Sequence, residues 1–222
     1  MKIIVTGATG LVGAEVVRQA ITDDDIHEII ALVRKPLDFQ HSKIRTLILK
    51  DFLDYSQLEN VIKEQNACVW CLGISQSQVS KSEYFKITYE YTMKAAEAML
   101  RFNPNITFMF LSGMGADSTE KSRTIFARVK GQTENALIKM PFKKLYIIRP
   151  GGIKPIHKNP NTAFTNKLMI PFFPLMKLLT PDMVISSVQL AKAMLYMVKN
   201  GSDNIISENK ELLRIAGVLK IG

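Results

Sequence analysis

Thr6-Gly7-Ala8-Thr9-Gly10-Leu11-Val12-Gly13 is the stretch whose residue types and spacing point most directly to chemistry. Its glycines recur as G-x-x-G-x-x-G, directly after the apolar run Ile3-Ile4-Val5 and directly before a segment with helical spacing that starts at Leu11. Between a strand and a helix, Gly7 permits the tight turn, Gly10 the close approach of a pyrophosphate, and Gly13 close packing of helix on strand. The helix start then presents free N–H groups to an anion. The pattern predicts a dinucleotide site built from Gly7, Thr9, Gly10, Leu11, Val12 and Gly13. Its bland alternative is a structural turn, which the position at the junction of strand and helix disfavours.

About twenty residues further on, an NAD site places Asp or Glu against the ribose hydroxyls. Here the second apolar run ends Leu32-Val33-Arg34-Lys35-Pro36. Two cations and no acid suit a 2′-phosphate, which an arginine fork grips and a lysine neutralises. The expected cofactor is NADP(H) in preference to NAD(H). The alternative for Arg34 and Lys35 is a solvated basic turn.

Other reactive residue types give weaker signals. Cys68 and Cys71 have a C-x-x-C spacing, but they lie in Ala-Cys-Val-Trp-Cys-Leu, which reads as a strand. Positions three apart on a strand face opposite sides, so these read as core thiols, and a cytoplasmic location follows from their unpaired state. Three scattered histidines argue against a dedicated zinc site. The formal charge of +9, from 29 Lys+Arg against 20 Asp+Glu, favours anionic partners in general. Its lysines are dispersed, and no basic arm or aromatic–basic signature marks a nucleic-acid module.

The elements that must position these residues alternate along the chain. Apolar runs at Ile3 to Val5, Ile29 to Val33, Leu47 to Leu49, Cys68 to Leu72, Phe108 to Leu111 and Leu145 to Ile148 read as strands covered on both faces. Between them lie predicted helices at Leu11 to Ala20, Tyr55 to Lys63, Tyr84 to Phe102, Ile125 to Lys139 and Ser186 to Val198. The stripes Met93, Ala96, Met99, Leu100 and Val188, Ala191, Leu195, Val198 are packing faces. Right-handed crossovers then give an α/β doubly wound parallel sheet of the Rossmann type, in one domain over residues 1–222.

The least regular part is 151–181, a substrate-side loop holding five of the nine prolines. Phe164, Leu168, Met169, Ile170, Phe172, Phe173, Leu175 and Met176 there would line an apolar pocket or meet a partner. Leu168 to Leu179 is too short and too interrupted, by Pro171, Pro174 and Lys177, to span a bilayer. Met1-Lys2 leads straight into the first strand without the shape of a secretory leader. The expectation is a soluble protein with no transmembrane segment. With hydrophobic residues at 47%, disorder is excluded.

Several later motifs fall in a fixed order: Asp51-Phe52, Cys71-Leu72-Gly73, Leu111-Ser112-Gly113-Met114-Gly115-Ala116-Asp117, Val129-Lys130-Gly131 with Glu134, and Arg149-Pro150-Gly151. With the glycine loop, these make the whole chain resemble the atypical branch of the short-chain dehydrogenase/reductase superfamily. It is most similar there to the Tat-interacting-protein-like and NAD(P)-binding epimerase-like proteins. The resemblance implies that Asp51 and Phe52 hold the adenine, that Cys71, Leu72 and Gly73 approach the ribose, and that Pro150 borders the cofactor.

The family's reaction uses a tyrosine and a lysine four apart on one helix. Lys130 stands at the lysine position and Phe126 where the tyrosine belongs. The second serine of the family's usual pair is replaced by Gly113, leaving Ser112 as the remaining hydroxyl. The candidate catalytic residues are therefore Lys130 and Ser112. Tyr84, Tyr89 and Tyr91 are alternative phenols that read as boundary residues with hydroxyls in water, and His157 and Cys71 are weaker candidates. Two functions follow: an NADP-dependent oxidoreductase with a modified proton path, on a small apolar or aromatic molecule such as a quinone or flavin, or a non-catalytic NADP(H)-binding sensor or scaffold acting on a protein partner.

Overall fold

The computed structural model describes residues 1–157 and 180–217. Strands β1 (Lys2–Thr6), β2 (Glu28–Val33), β3 (Ile44–Ile48), β4 (Ala67–Trp70), β5 (Thr107–Leu111), β6 (Lys144–Arg149) and β9 (Ile206–Glu208) form one parallel sheet in the order β3-β2-β1-β4-β5-β6-β9. The order reverses between β1 and β4, which opens a crevice at their carboxyl ends, where nucleotides bind in folds of this kind. A separate two-stranded sheet pairs β7 (Gly152–Lys154) with β8 (Val184–Ser186).

Helices cover both faces because the strands are apolar on both. Helix α1 (Leu11–Thr22), α6 (Ser187–Asn200) and α7 (Asn209–Ile215) pack on one side, where Val16, Val17, Leu190, Met194 and Leu212 join Ile3, Val5 and Met109. On the other side lie α2 (Glu59–Lys63), α4 (Tyr91–Phe102) and α5 (Ile125–Ile138), over Phe52, Trp70, Phe108 and Phe110. Ser186 starts α6 with a capping box closed by Gln189. Among the described residues, no helix is long and apolar enough to cross a membrane.

The predicted architecture is present, with local corrections. The predicted helix Tyr84 to Phe102 is three pieces: α3 (Lys81–Phe85), a π-helical turn (Lys86–Glu90) and α4. Strand β4 ends at Trp70, so Cys71 and Leu72 lie beyond it. Strand β3 begins at Ile44 because Arg45 and Thr46, on a sheet edge, interrupt its apolar pattern. The sequence reading missed β7, β8 and β9, three residues each and too short to show a period, and α7 as well. Phe164, Leu168, Met169, Ile170, Phe172, Phe173, Leu175 and Met176 lie outside the described residues.

Candidate cofactor and catalytic site

The glycine loop joins β1 to α1, and each glycine meets a distinct constraint. Gly7 has φ +63°, and a Cβ there would stand 2.4 Å from the Cys71 carbonyl oxygen. A Cβ on Gly13 would stand 2.2 Å from the Gly7 carbonyl oxygen. Gly10 donates its N–H to that oxygen at 2.8 Å and begins α1 with no side-chain cap. The uncapped first turn fits a pyrophosphate, and the crowding at Gly7 and Gly13 accounts for the absence of side chains. Thr6 Oγ1 accepts from the N–H groups of Cys71 and Leu72, both at 3.1 Å, and so fastens the end of β1 to the end of β4. Of the remaining loop residues, Thr9 is exposed, Leu11 half-buried and Val12 buried.

Arg34 and Lys35 follow β2 directly, are exposed, and form no ion pair with a described residue. Asp51, beyond β3, is exposed, and its Oδ1 accepts from the Leu53 N–H at 2.9 Å. Phe52 differs from the adenine-holding expectation. Its ring is in the core, edge-on to Trp70 at 6.0 Å and stacked on Tyr91 at 5.8 Å, so only its backbone remains for a ligand. Pro150 is buried, and its carbonyl accepts from the Met114 N–H at 2.8 Å. The two cysteines are free and pack on opposite faces, and burial pushes the Cys71 thiol up to about 12.

Helix α5 directs Phe126, Lys130 and Glu134, spaced four apart, at the end of β5. Lys130 is buried, donates from Nζ to the Leu111 carbonyl at 2.8 Å, and lies 4.5 Å from the centre of the Phe110 ring. Burial pushes its pKa down to about 8, against the opposing pull of Glu134 and of Cys71 close by. Phe126 is half-buried. A Cβ on Gly113 would stand 2.8 Å from its Cζ, against 3.5 and 3.8 Å from the two Cε atoms, so the ring meets Gly113 tip first.

Ser112 is not a free hydroxyl. Its Oγ donates to the buried Glu134 carboxylate. Arg149 Nε reaches both oxygens of Glu134 at 3.1 Å, and Nη1 reaches Glu208 at 2.9 Å, which together hold the guanidinium above its ordinary range. The network joins the ends of β5, β6 and β9 to α5. Glu134 and Arg149 appeared in the sequence only as parts of motifs. Their separation in the chain hid the pairing.

The alternative proton donors are placed elsewhere. Tyr84 is buried, against the expectation of a hydroxyl in water, because α3 turns it into the core. Tyr91 stacks on Phe52. Tyr89 stacks on Phe85 at 4.9 Å and lines a cavity of about 470 Å³ with Gln132 and Asn135, on the α5 face away from Lys130. His157 is tied by Nδ1 to the buried Glu15 of α1 at 2.8 Å, an ion-pair partner that sequence spacing could not reveal. A second cavity, of about 590 Å³ beside Phe39 and Thr46, is also remote from Lys130. Among the described residues, no three His, Cys, Asp or Glu side chains could hold a metal ion.

Residues 7–200 match a protein family described as NAD(P)H-binding. Protein FMP52, mitochondrial, of Candida albicans is 30% identical over 158 residues, covering 69% of this chain and 67% of that protein. Leucinostatins biosynthesis cluster protein T of Purpureocillium lilacinum is 33% identical over 161 residues, covering 69% of this chain and 58% of that protein. Among solved structures, UDP-glucuronic acid 4-epimerase from Bacillus cereus in complex with NAD aligns with TM-score 0.67 at 16% identity, covering 94% of this chain and 76% of its own. A thiolation-reductase di-domain from an archaeal non-ribosomal peptide synthetase aligns with TM-score 0.72 at 15% identity, covering 93% and 70%. At those identities the likeness is one of fold.

The cytoplasmic expectation is overturned, since several relatives carry the name mitochondrial. Cys68 and Cys71 were a poor guide to compartment. Both are free thiols packed on opposite faces of the sheet, a placement that carries no information on compartment.

Proposed function

The chain belongs to the NAD(P)H-binding family, and on that premise we propose that it is an NADP(H)-dependent oxidoreductase whose proton path does not pass through a phenol of its own. The observation that carries this reading is a convergence. Thr6 binds the Cys71 and Leu72 amides, Gly7 abuts the Cys71 carbonyl, and Lys130 lies buried beside Cys71. The glycine loop and the buried ammonium thus both approach Cys71, beside the sheet's reversal point, which supports one site for both.

In this reading Gly7, Thr9, Gly10, Leu11, Val12 and Gly13 hold the pyrophosphate. Asp51 and the Phe52 backbone border the adenine. Cys71, Leu72, Gly73 and Pro150 line the ribose and nicotinamide end, where Lys130 serves the ribose hydroxyls. A bound NADPH supplies hydride. Arg34 and Lys35, exposed and without an ion-pair partner among the described residues, support a 2′-phosphate site. We expect NADPH to bind more tightly than NADH by about tenfold or more, since charge-assisted contacts contribute roughly 1.5–3 kcal/mol. Arg34→Ala with Lys35→Ala should erase most of that difference. Calorimetry giving equal affinities for the two nucleotides in the unaltered protein would remove the NADP assignment.

The capture of the Ser112 hydroxyl by Glu134 also favours a second reading, a non-catalytic NADP(H)-binding sensor or scaffold. Nucleotide binding with no turnover of any acceptor supports that reading over the first.

A further inference from the structure

Strand β3 stands at one end of the sheet and pairs with β2, and among the described residues its outer edge has no partner. The Lys43 carbonyl accepts from the Ile29 N–H, and the Leu49 N–H donates to the Val33 carbonyl. Those bonds turn the backbone groups of the odd-numbered residues toward β2, so alternation along the strand turns those of Thr46 and Ile48 outward. The Ile44 N–H is met by the His41 carbonyl at 2.9 Å, which leaves the Ile44 carbonyl on the outer side. A row of such groups is a template for one more strand.

The side chains decide what kind of strand fits. Ile44 packs with the core under α1 and Leu47 with the core on the opposite face, so Ile44, Thr46 and Ile48 share the α1 side and Arg45 lies on the other. On the α1 side, Phe39, Gln40, His41, Ser42, Ile44 and Thr46 line one cavity of about 590 Å³, and Phe39 and Ile48 are each nearly half exposed. On the other side, Arg45 is exposed and forms no ion pair with a described residue, the neighbouring Glu64 being engaged by Lys2 at 2.7 Å. Lys50, just beyond β3, is exposed and likewise without an ion-pair partner among the described residues. The edge thus favours a strand of period two, with apolar residues toward the cavity and acids at the alternate positions beside Arg45. A second copy of this chain fits it poorly, because two paired β3 edges bring their Arg45 side chains onto one face as neighbours.

We propose that the outer edge of β3 is a docking site for an extended acidic segment of a partner protein. That segment adds a strand to the sheet, its apolar side chains enter the cavity beside Phe39, and its carboxylates meet Arg45. Main-chain hydrogen bonds to Thr46 and Ile48 supply affinity, and the alternation of cavity and cation supplies selectivity. The same arginine discourages pairing with neutral or basic strands, which is how a usable edge is kept from indiscriminate association.

The test uses the whole chain and two dye-labelled heptapeptides with capped ends, one alternating glutamate with valine and the other lysine with valine. In fluorescence anisotropy at low salt, the glutamate peptide should bind about fivefold or more tightly than the lysine peptide. Arg45→Glu, an exposed change that leaves the backbone alone, should erase that preference with the denaturation midpoint unchanged. Thr46→Pro removes an outward N–H without touching a bond to β2, and should weaken the glutamate peptide by about tenfold. The glutamate peptide N-methylated at two adjacent central residues probes the same ladder with the protein unaltered, and should lose about as much. Equal affinity for the two peptides, no saturable binding of either, or affinity unmoved by N-methylation overturns the site. Self-association of the chain that Thr46→Pro abolishes gives the edge to a second copy and overturns the acidic partner.

Discussion

Phe126 shows how much a single position can withhold. The sequence placed a phenyl where the resemblance called for a phenol, four residues before Lys130, but could not show the direction of the ring. With Cζ aimed at Gly113, an added hydroxyl would extend into the backbone of that residue. The two departures from the family pattern are therefore one arrangement, in which the small residue makes room for the ring. Phe126→Tyr should gain no carbonyl reductase activity and should lose about 1–3 kcal/mol of stability through overpacking, read as a lower denaturation midpoint. Restored ketone turnover in that variant would contradict the packing argument. Lys130 gives a second test at this scale. Its pKa falls from 10.5 to about 8 on folding, so between those values the unfolded chain binds the extra proton. Stability from this group therefore rises with pH through that window, and the charged form carries a penalty below it. Lys130→Met should be more stable than the unaltered protein at pH 7, by at most about 3 kcal/mol. The gap should narrow as denaturation is repeated from pH 8 to 10. The same variant should bind NADPH more weakly.

Among the elements, α5 carries most of the site, because spacing of four brings three different jobs to one strand end. Phe126 rests its ring tip on Gly113, Lys130 donates to the Leu111 carbonyl, and Glu134 ties down Ser112 and Arg149. The helix and its lysine were legible because an amphipathic period and a motif coincide there. The ion pair was not, since Arg149 lies on β6 and only the β5–β6 pairing brings it to Glu134. Glu134→Gln leaves the guanidinium partly unpaired in a buried setting, which typically costs about 3–5 kcal/mol. Urea denaturation should show that loss, and a change within error would mean that Glu208 and Ser118, whose Oγ accepts from Arg149 Nη2 at 3.2 Å, suffice for the guanidinium. The divided helix at residues 81–102 was misread for a related reason. The apolar stripe Met93, Ala96, Met99 and Leu100 lies wholly within α4, so it carried no sign of the π-helical turn before it.

Across the whole molecule, continuous apolar runs separated by amphipathic segments were enough to specify a parallel sheet with helices on both sides. The order of strands was not read from the sequence, since it depends on which runs pair across the sheet. Elements of three residues escaped because pairing with a neighbouring strand, rather than periodicity, defines them. One of these, β9, has a consequence in time. Among the described residues it is the only neighbour of β6 on the outer side, and Ile206, Ser207 and Glu208 pair with Ile147, Ile148 and Arg149. The chain must be extended by a further 59 residues (208 − 149) before that edge can be covered. At roughly 5–20 residues per second, a ribosome leaves the apolar edge of β6 without its partner for about 3–12 seconds. Nascent chains are therefore most vulnerable to intermolecular strand pairing late in synthesis, when nearly all of the sheet has already emerged. A chain stopped after Asn200 should aggregate on release while the full chain stays monodisperse in the same light-scattering assay, and equal behaviour of the two would show that β6 needs no cover.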